Sequence, residues 1–351
     1  MSNLRNGKFR SKVCSFYLII FFKFDRFMIS IIKKFGQVFI KSFKDFLDDG
    51  ALKYSASLSY YTVFSIAPVL IIIIGMAGLF FGNEAVTGEV YNQFAGLMGP
   101  NVAELIQEAI KNIKLQGQSW TATIVGFGTL LIGATGVFAE LQDSLNKIWS
   151  IKATAQNGWL KYLINRLISF SMVLTLGFLL MVSLLINALI ALLSHQYFSK
   201  LSEWHWLSLM INNIIILGIV SLLFAFIFKF LPDVKLRWRD VMSGALFTAL
   251  LFFIGKYLIS TYLSQSSVAS AFGAAGSLAL MLLWVYYSSA ILFFGAEFTK
   301  NYAVVFHNSV EANDYAAFVV TKKKELPTSA DLSDVEAYKD KIANQEQQAG
   351  K

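Results

Sequence analysis

The chain is poor in the residues from which metal sites and disulfides are usually built. It has 351 residues but only one cysteine, Cys14, together with three histidines and four prolines. A single cysteine excludes an intrachain disulfide. The histidines, His195, His205 and His307, do not stand at metal-ligand spacing with cysteines or carboxylates. We therefore predict no metal and no cofactor.

Catalytic and nucleotide-binding motifs are missing as well. The sequence contains no Walker loop, no dinucleotide fingerprint, no Gly-x-Ser-x-Gly elbow and no His-Glu-x-x-His helix. A metal-dependent nuclease needs acids and histidines that converge on a cation. Here the acids are scattered at the ends of apolar segments. The sequence thus predicts a protein that is not an enzyme, and it excludes a pump that hydrolyses ATP on this chain.

Charge is scarce and apolar residues are abundant. Charged residues make up 15% of the chain and hydrophobic residues 56%, against about 25% charged residues in soluble domains. The apolar positions form continuous blocks rather than alternating ones, and about twenty such residues in a helix cross a bilayer core of ~30 Å. We predict an all-α polytopic membrane bundle with six transmembrane helices. The predicted spans are Leu58–Gly82, Thr121–Ala139, Leu167–Leu193, Leu207–Phe228, Val241–Leu263 and Ser277–Ala296.

Lysine and arginine collect in segments that would share one side of the membrane. Eleven precede the first span and two loops add four each, whereas the opposite side receives only Lys111, Lys114 and Lys200. By the positive-inside rule, both termini are predicted to be cytoplasmic, in a multi-pass protein of a bacterial inner membrane. The net charge of +8 then reflects topology. We predict no nucleic-acid partner, and the expected partners are membrane lipids and a small solute or lipid substrate.

Three regions are predicted along the chain. Residues 1–50 form a basic segment with an amphipathic helix, residues 51–305 form the bundle, and residues 306–351 form a polar tail without a motif, expected to be disordered. In the first region, aromatic residues recur at helical spacing, with lysines mostly around the other face. Such a helix either lies in the membrane interface or packs against the end of the bundle, and the sequence leaves both options open.

The first predicted span opens with the polar stretch KYSASLSYYTVFSIAP. Its hydroxyls share two neighbouring helix faces, and Pro68 removes a backbone hydrogen bond, which predicts a kink near Phe64. Hydroxyls gain nothing from facing lipid, so these faces either contact other helices or line a cavity. The candidate cavity residues are Tyr61, Ser65 and Pro68.

The second predicted span joins a seam of small residues to a polar end. The seam, which would let another helix approach closely, consists of Gly126, Thr129, Gly133 and Gly136. It runs into ELQDSLNKIW, where Glu140 lies on the seam side and is expected to point into the bundle. Asn146 emerges at the same end and is a further polar candidate.

Two charged residues lie in or next to the last two predicted spans. Lys256 stands about 22 Å along the fifth span, so its stem either reaches the outer face or turns inward to a carboxylate. Glu297 ends the uncharged run Ser277–Ala296. It marks either the point where the helix leaves the lipid, beside Lys300, or a working group of a transport site, and the helix dipole disfavours an acid there.

The segment between the first two spans contains NVAELIQEAIKNI, whose apolar residues form one stripe. This pattern predicts an outer helix over Asn101–Gln116 that lies on the bundle, with Asn101 as its N-cap. Between spans five and six, SQSSVASAFGAAGS carries no charge and consists mostly of small residues. Such a loop can enter the bundle where protein or water satisfies its backbone.

Three stretches resemble the YihY/BrkB family of bacterial inner-membrane proteins. They are ALKYSASLSYYTVFSIAP, GVFAELQDSLNKIW and WRDVMSGALF with the later FGAAGSLALMLLWVYYSSAILFFGAEF, and the likeness covers about residues 40–305. The resemblance implies six transmembrane helices and a loosely defined role, since members have been named as virulence or serum-resistance factors and as proposed transporters. A ribonuclease label has also circulated for the family, and no residues of this sequence support it.

Two functions follow from these patterns. The favoured one is a transporter or exporter of a small solute or lipid, with ion coupling as an option, in which Glu140 and Glu297 stand near the cytoplasmic mouth of a central cavity. The alternative is a non-transporting envelope scaffold associated with virulence, which docks through the outer helix and the basic N-terminal segment. A membrane enzyme is disfavoured because no catalytic constellation is present.

Overall fold

A computed structural model describes most of the chain. The described residues are 30, 32–112, 120–153, 171, 205–265, 274–307, 310–313 and 316–319. By its internal contacts the chain separates into a unit over Met1–Phe318 and a unit over Val319–Lys351, and only residue 319 of the second unit is described. Predictions for the first 29 residues and for residues 320–351 therefore lie outside the described residues.

The described part of the first unit consists mostly of helices, with four short strands. The helices are α1 (32–48), α2 (Ala51–Phe81), α3 (Asn83–Met98), α4 (Pro100–Asn112), α5 (Trp120–Ile148), α6 (His205–Phe230), α7 (Trp238–Gln265) and α8 (Ala274–His307). The strands are β1 (Ile151–Ala153), β2 (Val234–Lys235), β3 (Glu311–Ala312) and β4 (Ala316–Phe318).

Four of the described helices are long and apolar enough to cross a membrane, over Ala51–Phe80, Asn213–Phe230, Trp238–Ile259 and Ala275–His307. They overlap the first, fourth, fifth and sixth predicted spans. The second predicted span lies within α5, which is not one of these four, and the third, 167–193, is described only at residue 171. Six crossings and two cytoplasmic termini stay predictions.

Helix α2 defines the two ends of the bundle. Its 31 residues extend over about 46 Å at a rise of 1.5 Å per residue. Its first residue follows α1, and its last residue leads into α3 and α4. We call these two ends of the bundle the α1 end and the α4 end.

Small residues let α5 approach α2 closely. A Cβ added at Gly133 would lie 3.0 Å from the Pro68 side chain, and one added at Gly136 would lie 3.5 Å from Ser65 Oγ. The structure thus brings the small-residue seam of α5 against the candidate residues of α2, and α2 continues through Pro68 to Phe81. The side chains of the other two seam positions, 126 and 129, lie outside the described residues.

Helices α7 and α8 are joined by two copies of one short pattern. GALFT on α7 and GAEFT on α8 pack so that a Cβ added at Gly244 would overlap Thr299, and one added at Gly295 would overlap Thr248. Each threonine hydroxyl donates 2.7 Å to the carbonyl of the glycine on its own helix. The hydroxyls are therefore satisfied within their helices, and the glycines fix the close approach between them.

The segment after α2 forms two helices, and the sequence predicted only the second. Gly82 and Gly99 have φ values of +83° and +91°, and each stands at the start of one of these helices. Positive φ is open to glycine at little steric cost, so both positions serve as turns. Helix α4 begins at Pro100, one residue before the predicted cap Asn101, and buries Val102 and Ile106 against the bundle.

Two strands follow α8, in residues that the sequence assigns to a disordered tail. Strand β3 pairs with β2, and β4 pairs with β1, both antiparallel. Their partners lie directly after α5 and α6, so these strands connect the end of α8 to the ends of two other helices. Residues 310–313 and 316–318 therefore belong to the first unit, whereas the sequence assigns them to the tail that begins at residue 306.

Helix α1 packs on α8 through aromatic side chains. Phe39 and Phe46 make edge-on contacts with Phe294 at centroid distances of 5.6 and 5.7 Å, and Phe35 lies 5.4 Å from Phe306. The sequence left open whether α1 lies in the membrane interface or packs against the bundle. Its aromatic face packs against the bundle. Residues 32–48 thus join the bundle, although the sequence assigned them to a separate segment.

Candidate functional site

A charged cluster at the α1 end joins three parts of the bundle around one ammonium group. Lys300 Nζ lies 2.6 Å from Glu297 Oε2, 3.4 Å from Asp49 Oδ2 and 2.8 Å from the Ile148 carbonyl, to which it donates a hydrogen bond. Glu297 and Lys300 belong to α8, Asp49 to the α1–α2 turn, and Ile148 ends α5. We call these four groups the Lys300 cluster.

Glu297 is the fully buried acid of this cluster. Its side chain has 0% exposure, whereas Lys300 is 18% exposed and Asp49 37% exposed. Neither carboxylate oxygen accepts a hydrogen bond of normal geometry from the described residues, so the 2.6 Å contact with Lys300 is an ion pair whose angle is unfavourable for a hydrogen bond. A buried carboxylate with one charged partner and no further donors is incompletely compensated for its lost hydration.

Helix α1 encloses the cluster on one side. Asn301 Nδ2 donates to Asp45 Oδ2 at 2.9 Å and to Ser42 Oγ at 3.3 Å, and Ser42 Oγ lies 3.4 Å from the Glu297 carbonyl. Ser42 and Asn301 are both buried. These contacts hold α1 against the turn of α8 that carries Glu297.

Glu140 lies in a second polar contact, between α2 and α5. Ser57 Oγ donates a hydrogen bond to Glu140 Oε1 at 2.5 Å, in a partly buried position. Glu140 therefore points toward α2, the side from which the seam packs. Its partner differs from that of Glu297, and the structure shows no contact between these two described carboxylates.

Asn146 links α5 to the connection between α6 and α7. Its Nδ2 donates to Asp233 Oδ2 at 3.0 Å, and its Oδ1 accepts from the Asp233 backbone N–H at 2.8 Å. Asp233 is buried and lies between α6 and β2. This reciprocal pair ties the end of α5 to the α6–α7 connection.

The remaining candidates differ in their surroundings. Ser65 is buried and Pro68 partly buried, both at the α5 contact, whereas Tyr61 is exposed and next to Tyr60. Lys256 is partly buried on α7, and among the described residues it makes no ion pair. The described candidates therefore do not converge on one site: Glu297 belongs to the Lys300 cluster, whereas Glu140, Ser65 and Pro68 lie at the contact between α2 and α5.

Sequence reasoning missed a close contact between a histidine and a buried acid at the α1 end. His307 Nδ1 lies 2.6 Å from Asp240 Oδ1, and Asp240 has 0% exposure. The sequence placed His307 beyond the last span, but α8 continues to that residue and carries it to the first turn of α7. The sequence signal for Asp240 was its position in the first turn of a helix, where the helix dipole favours an acid.

A cavity of about 770 Å³ opens at the α4 end, between α2, α3 and α4. Its apolar wall is formed by isoleucines of α2 and α4, and its polar wall carries both a carboxylate and an ammonium group. The wall residues include Ile71, Ile74, Ile110, Asn83, Glu84 and Lys111. The volume falls within the range of small-molecule sites.

Comparison with known proteins gives consistent relatives. The sequence profile described as virulence factor BrkB matches residues 42–316. A UPF0761 membrane protein of Saccharophagus degradans is 24% identical over 272 residues, covering 76% of this chain and 60% of that protein. One of Stenotrophomonas maltophilia is 24% identical over 274 residues, covering 76% and 61%. No solved structure shows a significant match.

The matched region contains the whole Lys300 cluster. It begins at Ser42 in α1 and ends at Ala316, the first residue of β4. The chain spans about three fifths of the length of the relatives that it matches. Because the family profile covers well over half of the sequence, the chain belongs to the virulence factor BrkB family, whose relatives are named as membrane proteins.

Proposed function

We propose that this membrane protein is a transporter or exporter of the bacterial inner membrane that moves a small solute or a lipid. The observation that carries the proposal is the Lys300 cluster, in which a fully buried carboxylate is held by one ammonium group. Ionisable residues inside membrane bundles are rare and expensive, and they commonly mark the paths of substrates and ions. Glu297 is the residue to which we assign this role.

We infer a second arrangement of the cluster, in which Lys300 no longer contacts Glu297. Lys300 contacts Glu297 and Asp49 together, so its ammonium retains one carboxylate and the Ile148 carbonyl if Glu297 accepts a proton or a substrate cation. The contacts that join α8 to the α1–α2 turn and to α5 would then remain, and only the Glu297 side chain would be released from Lys300. Such an exchange would provide ion coupling, because a proton or cation then favours one arrangement over the other.

The cavity at the α4 end agrees with this proposal. It lies at the opposite end of α2 from the cluster and has room for a small solute or part of a lipid. With both termini in the cytoplasm, the cavity opens outside and the Lys300 cluster lies at the cytoplasmic side. Substrate would then pass between the cavity on the outer side and the Lys300 cluster, which closes the bundle on the cytoplasmic side.

Reconstituted vesicles test the proposal. Movement of a fluorescent phospholipid is measured by its accessibility to dithionite, and uptake of solutes from a cell extract is measured by mass spectrometry. We expect wild-type protein to move at least one of these classes faster than protein-free vesicles do. Glu297→Gln should reduce that rate at least about tenfold, which corresponds to 1.4 kcal/mol of barrier, while the protein remains folded because glutamine keeps an oxygen for Lys300.

Asp48→Asn is the matched control, because Asp48 is an exposed acid beside Asp49. It should transport as wild type does. Equal rates in wild type and Glu297→Gln would remove Glu297 from the mechanism. No movement of either class by folded wild-type protein would contradict transport and leave the scaffold as the better account.

A further inference from the structure

Helix α1 has three faces, about a third of a turn apart at 3.6 residues per turn. One packs on the bundle and includes Val38, Ser42 and Phe46, all buried. A second, which we call the outer face, is apolar and exposed. It consists of Ile32, Phe39, Ile40, Phe43 and Leu47. The third, which we call the lysine face, carries three exposed lysines. These are Lys33, Lys41 and Lys44.

We propose that α1 binds anionic phospholipid headgroups of the adjoining leaflet through its lysine face, with the outer face in the acyl-chain region. A helix that is apolar on one side and basic on the next fits the boundary between headgroups and acyl chains. The bundle face fixes the rotation of α1, so the other two faces have a defined orientation relative to the membrane.

The outer face continues an exposed apolar surface of α7. Phe39 lies 6.3 Å from Phe247 of α7, measured between ring centroids. Around Phe247, α7 exposes Met242, Leu246 and Leu250, which belong to a helix long and apolar enough to cross a membrane. Exposed aliphatic side chains on such a helix contact acyl chains, and the adjacent outer face of α1 shares that environment.

The charges on α1 favour an anionic headgroup. Asp45 and Asp49 turn toward α8, where they contact Asn301 and Lys300. Lys34 lies over the Phe306 ring at 5.4 Å. The lysine face retains one exposed acid, Asp48, near its C-terminal end.

Three lysines against one acid leave the lysine face positive. Lysines near an anionic membrane surface contribute about 1 kcal/mol each. The preferred ligand is therefore an anionic phospholipid such as phosphatidylglycerol rather than a zwitterionic one.

The single cysteine makes a direct test practical. In a Cys14→Ser background, a fluorophore is attached to Ile40→Cys, at the edge of the outer face that borders the lysine face. The protein is reconstituted with phosphatidylcholine, and quenching is measured with nitroxide-labelled phosphatidylglycerol or phosphatidylcholine at equal mole fraction. We expect quenching by both lipids, and at least about twofold stronger apparent association of phosphatidylglycerol.

Replacing the three lysines tests their role. Lys33→Gln, Lys41→Gln and Lys44→Gln together should bring the two lipids to equal association, whereas Lys152→Gln, an exposed lysine of β1, should not. Equal quenching by both lipids in the parent protein would overturn the headgroup preference. A preference that survives in the triple variant would overturn the assignment to these lysines. Absence of quenching would show that protein, such as a second copy of the chain, covers α1 instead.

Discussion

At the scale of single residues, two glycines set how closely α7 and α8 approach. Gly244 and Gly295 each face a threonine of the other helix, and Phe247 stacks on Phe298 beside them at 3.8 Å between centroids. The close packing replaces the hydrophobic driving force that helices lack in lipid. It also presents Glu297, the middle residue of GAEFT, toward α1.

Adding one methyl group at either glycine should destabilise the bundle. Gly244→Ala and Gly295→Ala force the added carbon onto a threonine that is itself buried, and overpacking of this kind costs about 1–3 kcal/mol. Both variants should unfold at lower temperature than wild type in the same detergent. Gly218→Ala on α6 is the control, since no atom lies within 4 Å of its added Cβ, and it should unfold at or slightly above the wild-type temperature. Equal midpoints for all three variants would contradict the close contact.

The sequence could predict some of these residues and not others. The uncharged run before Glu297 marked that acid, and the small residues of α5 marked a helix contact, because both signals are local. Asp49 gave no such signal, and the position of Asp240 in the first turn of a helix did not indicate His307 as its partner. Their partners lie far away in sequence, and only the arrangement of α7 and α8 brings them together.

At the scale of helices and loops, Asn146 connects the end of α5 to the segment between α6 and α7. It bonds both the carboxylate and the backbone N–H of Asp233. Buried polar groups that lose such a partner cost about 1–3 kcal/mol each. The connection between α6 and α7 therefore depends on a side chain of α5.

Asn146→Ala should loosen that connection before it unfolds the bundle. We expect faster amide hydrogen exchange over residues 231–237 and a lower unfolding midpoint, because the Asp233 carboxylate and N–H both lose a partner. Asn92→Ala, at an exposed position of α3, should change neither quantity. Exchange in 231–237 that stays at the wild-type rate in Asn146→Ala would show that Asp233 is held by other groups.

Element prediction succeeded where periodicity was strong and failed where it was weak. The apolar stripe of α4 predicted a helix on the bundle, and that helix is present. Helix α3 escaped prediction because its sequence, NEAVTGEVYNQFAGLM, mixes glycines with polar residues and has no clear apolar stripe. The strands β3 and β4 escaped because two- and three-residue pairings depend on distant partners rather than on their own sequence.

At the scale of the whole molecule, charge separates the two ends of the bundle. The α1 end gathers the Lys300 cluster and the basic residues that flank α6 and α7. The α4 end carries mainly acids on its exposed surface, among them Glu84 and Glu104. Since lysine and arginine remain on the cytoplasmic side during insertion, this separation predicts the orientation of every described helix.

Labelling of single cysteines tests that orientation in intact cells. In a Cys14→Ser background, Glu104→Cys places a thiol on the exposed face of α4, and Lys152→Cys places one on β1 at the α1 end, where the residue is exposed. A membrane-impermeant maleimide should label Glu104→Cys in intact cells and Lys152→Cys only after permeabilisation. Labelling after permeabilisation shows that each thiol is reactive. A position that is unlabelled in intact cells therefore lies on the cytoplasmic side. The opposite pattern would invert the topology and put the cavity between α2, α3 and α4 in the cytoplasm, and the Lys300 cluster would then close the outer side of the bundle.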